Sequence, residues 1–284
     1  MEPSLKSWLV ETDWLNDHLG DKDLVVFDAT WYLPGTNTDA RQQYLEEHIP
    51  NSLFFDIDDI SDLGTDLPHM LPNPIKFSSR MRRLGVGDGM QVVVYDHLDL
   101  FSAARAWWMF RAMGLEDVYV LNGGMRKWTD EDRPVDEYPH RPRLERHFTA
   151  HINRDLIASQ EQVMDAMKTG SAQIVDARPV DRFEGRGKEP RPGVRAGRIP
   201  DSISIPRSAL MCDDGTLKSN DDIREVFLDA GVDLEKPVIT TCGSGITAAI
   251  PFLALSQIGH KQHSLYDGSW AEWGADNSLP IAVG

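Results

Sequence analysis

The most constraining feature of this sequence is that its two halves repeat each other. VVFDA at 25–29 returns as IVDA at 174–177, and HIPNS at 48–52 returns as RIPDS at 198–202. Three further pairs keep the order: LGV at 84–86 with AGV at 230–232, VVVYD ending at Asp96 with VITTC ending at Cys242, and LNGGMRKW at 121–128 with YDGSWAEW at 266–273. The offset stays between 145 and 150 residues. A repeat this long is a domain rather than a solenoid unit, so the sequence predicts two homologous domains.

The composition of the chain between the repeats predicts where the domains meet. Residues 138–154 are rich in Pro, Arg and His and show no sustained apolar period, as expected of a linker. We therefore predict an N-terminal domain over 1–137, a linker over 138–154 and a C-terminal domain over 155–284.

Short apolar runs alternate with longer helical patterns in both halves. Strands are predicted at 24–27, 92–95, 174–175 and 238–241, and helices at 103–113 and 247–258. Strand and helix alternation predicts an α/β fold in which each domain is a parallel sheet flanked by helices. Ligands of such folds bind beyond the carboxyl ends of the strands, and Cys242 falls at such an end.

Charge and cysteine content narrow the partners and the compartment. The chain has 29 basic and 45 acidic residues, a formal charge of −16, which repels nucleic acid and anionic lipid. Because of this charge, nucleic acid is not expected as a partner. No apolar run is long enough to cross a bilayer, so a membrane is not expected as a partner either. Cys212 and Cys242 are too few for a disulfide framework, and the first 15 residues lack a secretory signal pattern. We therefore expect a cytoplasmic protein.

The segment around Cys242 carries the clearest chemical signal. An apolar strand ends at this cysteine, Gly243 and Gly245 follow, and a helical pattern begins directly afterwards. Glycines allow successive backbone N–H groups to turn inward at a helix N-terminus, and such a nest stabilises a thiolate. The other half has Asp96 in the same place and no glycine in HLDLFSA, so we interpret it as a non-catalytic copy.

The loop CGSGITA at 242–248 in the second of two copies resembles that of the two-domain rhodanese-like sulfurtransferases. It is most similar to the 3-mercaptopyruvate sulfurtransferase pattern C-G-S-G-V-T-A, with Ile246 as the one change. The related thiosulfate sulfurtransferases carry basic residues in this loop, whereas Gly243 and Ser244 are neutral. Other matching motifs are FFDID at 54–58, HMLP at 69–72, FSAARAWWMFR at 101–111, DARPVDRFEG at 176–185 and EPRPG at 189–193.

The resemblance implies a mechanism and a set of residues. Cys242 would take the sulfur of 3-mercaptopyruvate as a persulfide and release pyruvate, without a cofactor or a metal. A small thiol, a thioredoxin-like protein or cyanide would then accept the sulfur. The implied roles are substrate binding by Arg182, Arg191, Gly243, Gly245, Ile246 and Thr247, proton movement by Asp58, His69 and Ser244, and packing of the domain interface by Arg105, Trp107 and Trp108.

Several alternatives compete with this interpretation. The first is a thiosulfate sulfurtransferase, and the second is a dinucleotide-binding oxidoreductase, because 243–248 also fits G-x-G-x-x-A and Asp267 follows at a suitable distance. Only 17 residues follow Asp267, too few for the rest of a nucleotide-binding sheet. A cysteine phosphatase would need arginine where Ala248 stands. A sulfur carrier without turnover is a further possibility. The spacing of His147 and His151 does not predict a zinc site. Cys212 is interpreted as a bystander thiol or as a redox partner of Cys242.

Overall fold

The computed structural model describes residues 6–138 and 143–284, which form two five-stranded, all-parallel sheets flanked by helices. This arrangement confirms the predicted α/β fold with one sheet in each half. Residues 1–5, which belong to the segment searched for a signal pattern, and positions 139–142 of the predicted linker lie outside the described residues.

The first half begins with the edge strand that pairs with the last strand of its own sheet. Its strands are β1 Leu9–Val10, β2 Leu24–Asp28, β3 Leu53–Phe54, β4 Gln91–Tyr95 and β5 Val118–Leu121, in the order β1-β5-β4-β2-β3. Its helices are α1 Thr12–His18, α2 Ala40–Glu46, α3 Ile57–Ile60, α4 Pro74–Arg83, α5 Ala103–Ala112 and α6 Gly124–Asp130.

The second half repeats this topology strand for strand. Its strands are β6 Ile157–Ala158, β7 Gln173–Asp176, β8 Ile203–Ser204, β9 Val238–Thr241 and β10 His263–Tyr266, in the order β6-β10-β9-β7-β8. Its helices are α7 Gln160–Thr169, α8 Val180–Phe183, α9 Asn220–Asp229, α10 Ala249–Gln257 and α11 Ser269–Trp273, with 3-10 turns at Arg154–Leu156 and Arg207–Leu210.

The middle strand of each sheet is the element that leads into the repeated loop. β4 and β9 are buried along nearly their whole length, and β-branched residues dominate both, as expected of strands covered on two faces. The predicted strands agree with β2, β4, β7 and β9 to within one residue at each end. The second predicted helix starts two residues later than expected, at Ala249, because 247–248 form a turn.

The helices that follow the middle strands pack against each other and join the two halves. α5 and α10 are buried almost completely, and the rings of Trp107 and Phe252 lie 6.0 Å apart between them. One apolar core contains buried residues from both halves, among them Phe110 and Leu253. Burial of two whole helices removes a large apolar area from water, so the two domains associate through their cores. Trp107 and Trp108 pack here as predicted.

The described part of the predicted linker lies along the first half. Phe148 is 2% exposed and belongs to the apolar core, and its carbonyl accepts a hydrogen bond from Arg82 Nε at 2.9 Å. His147 Nδ1 lies 2.7 Å from Asp88 Oδ2. Within residues 6–138 and 143–284, no cluster of three or more metal-ligating side chains occurs and no helix is long and apolar enough to cross a membrane.

Candidate active site

Cys242 lies directly after β9, at the bottom of a loop that runs to the start of α10. Its side chain is 1% exposed. Gly245 has φ +79°, and a Cβ at this position would lie 2.8 Å from the Asp267 carbonyl oxygen, so only glycine fits. Gly243 faces Arg182, whose Nη2 would lie 3.0 Å from a Cβ there. The two glycines therefore allow the loop to turn sharply and a guanidinium to approach it closely.

The first half of the chain shows what this loop shape can bind. The Asp96 carboxylate accepts hydrogen bonds from the backbone N–H groups of Leu98 (2.9 Å), Leu100 (3.0 Å), Ser102 (2.7 Å) and Ala103 (2.7 Å). Burial raises the pKa of Asp96, and these bonds to its charged form act in the opposite direction. The loop after the middle strand is thus an anion-binding nest in this half.

The same positions of the second half surround Cys242. Counting from Cys242 as from Asp96, they are Ser244, Ile246, Ala248 and Ala249. Among the described residues, no acceptor binds the N–H groups of Ser244, Ile246 or Ala248. Donors that hold a carboxylate in one copy are therefore available for a thiolate in the other.

The loop of the first copy forms its nest without glycine. Asp99 (φ 54°) and Leu100 (φ 61°) adopt the left-handed conformation that glycine would supply. The two copies therefore differ in the group placed in the nest, a carboxylate or a thiol, more than in loop shape.

The carbonyl side of the cysteine loop is held by α11. Trp270 N donates to the Cys242 carbonyl at 2.9 Å, and Ala271 N donates to the Gly243 carbonyl at 2.8 Å. Ser269 Oγ accepts a hydrogen bond from Cys242 N at 3.2 Å. The motif YDGSWAEW, which the sequence offered only as a landmark of the repeat, thus supplies the helix start that fixes the backbone of Cys242.

The two predicted substrate arginines lie beside the cysteine loop with different partners. Arg182 Nη2 pairs with Glu189 Oε2 at 2.6 Å. Arg191 Nη2 lies 3.3 Å from His69 Nε2. Burial lowers the pKa of the Arg191 guanidinium, while Cys242 acts in the opposite direction. This opposing effect is the electrostatic attraction expected between a guanidinium and a nearby thiolate.

Asp58 and His69 come together, as the resemblance implied. His69 Nδ1 lies 2.9 Å from Asp58 Oδ1, and Trp31 Nε1 donates to Asp58 Oδ2 at 3.0 Å. A guanidinium can only donate, so the contact with Arg191 leaves the His69 proton on Nδ1, facing Asp58. The hydrogen bond with His69 is the main cause that lowers the pKa of Asp58.

The third member of the predicted proton-moving set lies apart from this pair. Ser244 is 5% exposed and faces the same cavity as Cys242, and among the described hydrogen bonds none joins it to Asp58 or His69. Neither Asp58 nor His69 lines that cavity; Arg191 and Trp31, their contacts, do. The role of this set therefore stays a prediction, with Arg191 standing between His69 and the cavity.

The cavity above Cys242 has a volume of about 250 Å³ and lies between the two domains. Of the predicted substrate contacts in the loop, Gly243, Ile246 and Thr247 line it, whereas Gly245 turns away toward Asp267 and Arg105. The remaining wall combines apolar groups and cations, among them Trp31, Leu33, Phe101, Arg178, Arg182, Arg191 and Arg207. A volume of this size suits a small anionic molecule.

Arg105 connects the two domains beneath the loop. Its guanidinium is fully buried, its Nη1 pairs with Asp267 Oδ1 at 2.5 Å, and the same nitrogen donates to the Gly245 carbonyl at 3.2 Å. Its Nη2 donates to the carbonyl of His69. One side chain of the first domain thus holds both the cysteine loop and the loop that carries His69.

Sequence reasoning missed the electrostatic roles of three buried charges that build the site. Glu189 pairs with Arg182 and also with Arg178 Nη1 at 3.2 Å. Arg178 is 1% exposed and forms a second ion pair, with Asp176, at 2.7 Å. Arg105 was expected only to pack the interface. The sequence did contain a signal for these residues, because charged residues occur inside otherwise apolar or proline-rich motifs such as FSAARAWW and EPRPG. A charge that is buried with such a motif requires an ion-pair or hydrogen-bond partner.

Comparisons with known proteins agree with this architecture. The rhodanese-like domain family matches residues 11–131 and again 159–276. The crystal structure of SseA from Escherichia coli, a 3-mercaptopyruvate sulfotransferase with the rhodanese fold, superposes with a TM-score of 0.86 at 39% identity, covering 93% of this chain and 99% of that one. The chain therefore belongs to the rhodanese-like family, as the loop resemblance predicted.

Full-length relatives define the enzyme class more closely. The 3-mercaptopyruvate sulfurtransferase of Escherichia coli K12 is 42% identical over 277 residues, which is 97% of this chain and 98% of the relative. The thiosulfate sulfurtransferase of Rattus norvegicus is 40% identical over 272 residues, covering 93% and 91%. The protein is a two-domain sulfurtransferase.

Proposed function

We propose that this enzyme takes sulfur from 3-mercaptopyruvate onto Cys242, releases pyruvate and passes the sulfur to a thiol. The observation that carries the proposal is the placing of Cys242 at the bottom of a small cavity whose loop is neutral and whose wall holds Arg182 and Arg191. A 2-oxo acid needs cations that can bind its carboxylate. The loop residues Gly243 and Ser244 are neutral, and the cations of the cavity come from Arg182 and Arg191 outside this loop.

The transfer step balances without a co-reactant. The Cys242 thiolate attacks the sulfur of 3-mercaptopyruvate, the carbon–sulfur bond breaks, and the electron pair of that bond leaves as the enolate of pyruvate. The proton of the substrate thiol moves to the enolate carbon, and the enzyme keeps a Cys242 persulfide. Backbone N–H groups at Ser244, Ile246 and Ala248 stabilise the anionic sulfur before and after the step.

The side chains around the cavity divide the remaining work. Arg191 and Arg182 bind the carboxylate and ketone oxygens, which aligns the substrate sulfur with Cys242. Asp58 keeps the Nδ1 proton of His69 in place, and Arg191 connects His69 to the cavity. We assign to His69 and Ser244 the transfer of the substrate thiol proton to the leaving enolate. Gly243, Ile246 and Thr247 contact the substrate through the loop surface.

The same structure supports the proposed domain limits and location. The segment over 138–154 joins two complete sheets, which supports domains over 1–137 and 155–284. Both cysteines, the buried Cys242 and the exposed Cys212, are free thiols, and a persulfide enzyme needs a free thiol. This supports a reducing compartment, the cytoplasm.

The competing function is thiosulfate sulfurtransfer, favoured by the 40% identity to the rat enzyme. We expect kcat/KM to be at least about tenfold higher with 3-mercaptopyruvate than with thiosulfate, because the cysteine loop itself contributes no basic side chain to bind a dianion. The measurement is pyruvate release and thiocyanate formation, with cyanide as the common acceptor, on one preparation. A preference for thiosulfate would contradict the proposed donor and leave the sulfurtransferase class intact.

A second test separates substrate binding from packing. Arg191→Ala removes a guanidinium that has no carboxylate partner among the described ion pairs. A lost bond to a charged group of about 1.5–3 kcal/mol raises KM for 3-mercaptopyruvate by about 10–100-fold. We expect the melting temperature to change little. Steady-state kinetics and thermal unfolding on the same variant provide the two readouts.

Arg182→Ala is the matched comparison. It also removes a cation from the cavity, but it breaks the ion pair with Glu189, which then keeps only Arg178. Its melting temperature should therefore fall more than that of Arg191→Ala. A normal KM in both variants would show that the arginines only tie the structure together.

A further inference from the structure

Four arginines line the cavity, and they are not equally neutralised. Arg178 and Arg182 share Glu189, and Arg178 also pairs with Asp176. Within residues 6–138 and 143–284, no carboxylate forms an ion pair with Arg191 or Arg207. Arg191 and Arg207 can therefore each bind an anion in the cavity. The carboxylate of 3-mercaptopyruvate is assigned to Arg182 and Arg191, which leaves Arg207 without a role in donor binding.

Arg207 is held in place from the other domain. It begins the 3-10 turn after β8, and its Nη1 donates to the carbonyls of Leu98 at 2.7 Å and Asp99 at 3.0 Å. Its guanidinium lies over the ring of Phe101, 5.4 Å from the ring centre. The Asp99 carboxylate points elsewhere, toward Arg126 at 3.6 Å. Neutral groups therefore hold the Arg207 guanidinium in place, and its positive charge can attract an anion in the cavity.

The reaction brings two sulfur compounds to the same cysteine in turn. After pyruvate leaves, the acceptor thiolate attacks the outer sulfur of the Cys242 persulfide, the sulfur–sulfur bond breaks, and Cys242 leaves as a thiolate. The acceptor departs as a persulfide, so atoms and electrons balance. We propose that Arg207 binds an anionic group of this acceptor, which makes small thiols that bear a carboxylate the preferred acceptors; this rests on the proposed function.

The overall charge of the chain makes a local cation favourable for binding an anionic thiol. At −16 the protein surface repels an anionic thiol at long range. A fixed guanidinium inside a narrow, partly apolar cavity offsets this repulsion where the thiol must bind, since charges interact more strongly away from bulk water. A planar guanidinium also matches the two oxygens of a carboxylate.

The test compares two acceptors of similar size on a preformed persulfide. The enzyme is loaded with 3-mercaptopyruvate, freed of small molecules and mixed with 3-mercaptopropionate or 2-mercaptoethanol. Loss of one sulfur is followed by intact mass, so only the second half of the reaction is observed. We expect Arg207→Gln to lower the rate ratio of anionic to neutral acceptor by about tenfold or more. Arg207→Lys should restore part of the ratio.

The matched control is Arg146→Gln. Arg146 belongs to the segment between the domains, its side chain is 49% exposed, and it does not line the cavity. The two thiols differ in intrinsic reactivity, but this difference cancels when the ratio is compared between enzyme forms. The control should leave the ratio unchanged.

Two results would overturn the proposal. The first is an unchanged ratio in Arg207→Gln, whether both acceptors keep their rates or are slowed equally, and the second is a loss confined to loading by 3-mercaptopyruvate. If the wild type loads only from thiosulfate, the proposed donor is wrong. The two acceptors are then compared on the Cys242 persulfide formed from thiosulfate. A wrong donor can therefore be distinguished from a wrong role of Arg207.

Discussion

Cys242→Ser is expected to abolish sulfur transfer, the largest effect we predict for any single substitution in the chain. Serine fits a position that is 1% exposed, since it is smaller than cysteine and keeps the backbone contacts with Ser269 and Trp270. An alcohol at neutral pH is not ionised in the nest and forms no persulfide. We expect the wild type to gain one sulfur on brief exposure to donor without reductant, and Cys242→Ser to gain none by intact mass.

Cys212→Ser is the control for this experiment. Cys212 is exposed and lies in a turn closed by backbone bonds with Gly215 and Thr216, and it does not line the cavity. Its variant should keep both turnover and the added sulfur. An added sulfur that survives in Cys242→Ser, or that maps to Cys212, contradicts the assignment of the nucleophile.

The second large effect concerns the buried ion pair between Arg105 and Asp267. Arg105→Met leaves the Asp267 carboxylate buried without its cation, and breaking a buried pair costs about 3–5 kcal/mol. At about 2–4 °C per kcal/mol, that lowers the melting temperature by about 6–20 °C. The same substitution frees the carbonyls of Gly245 and His69, so we also expect kcat to fall. Thermal unfolding and steady-state kinetics are measured together.

A double variant separates the two effects of Arg105. Asp267→Asn, added to Arg105→Met, removes the unpaired charge and keeps an oxygen for the N–H of Leu71, which donates to Asp267 at 2.6 Å. Much of the melting temperature should return, because a neutral pair carries little desolvation cost. If kcat remains low, Arg105 positions the two loops. Full recovery of kcat would reduce its role to neutralising Asp267.

Much of the fold could be predicted from the sequence, because it depends on local periodicity and on an internal repeat. Strand and helix periodicity identified the parallel sheets, and the offset of 145 to 150 residues identified two domains. Cys242 could also be predicted as the nucleophile, since it and Gly243 and Gly245 are close together in the chain. Asp58, His69, Arg182 and Arg191 required a family pattern, because no spacing rule relates residues that far apart.

The sequence by itself therefore determined the architecture, the thiol and the neutral loop. Only the tertiary structure decided which charges meet: Arg105 crosses from the first domain to Asp267, Glu189 holds two arginines, and Arg207 is left without a carboxylate partner among the described ion pairs. The physical reason is that ion pairing depends on distances of a few ångströms between segments separated by many residues. Periodicity reports which face of an element is buried; it carries no information about the group that another domain places against it.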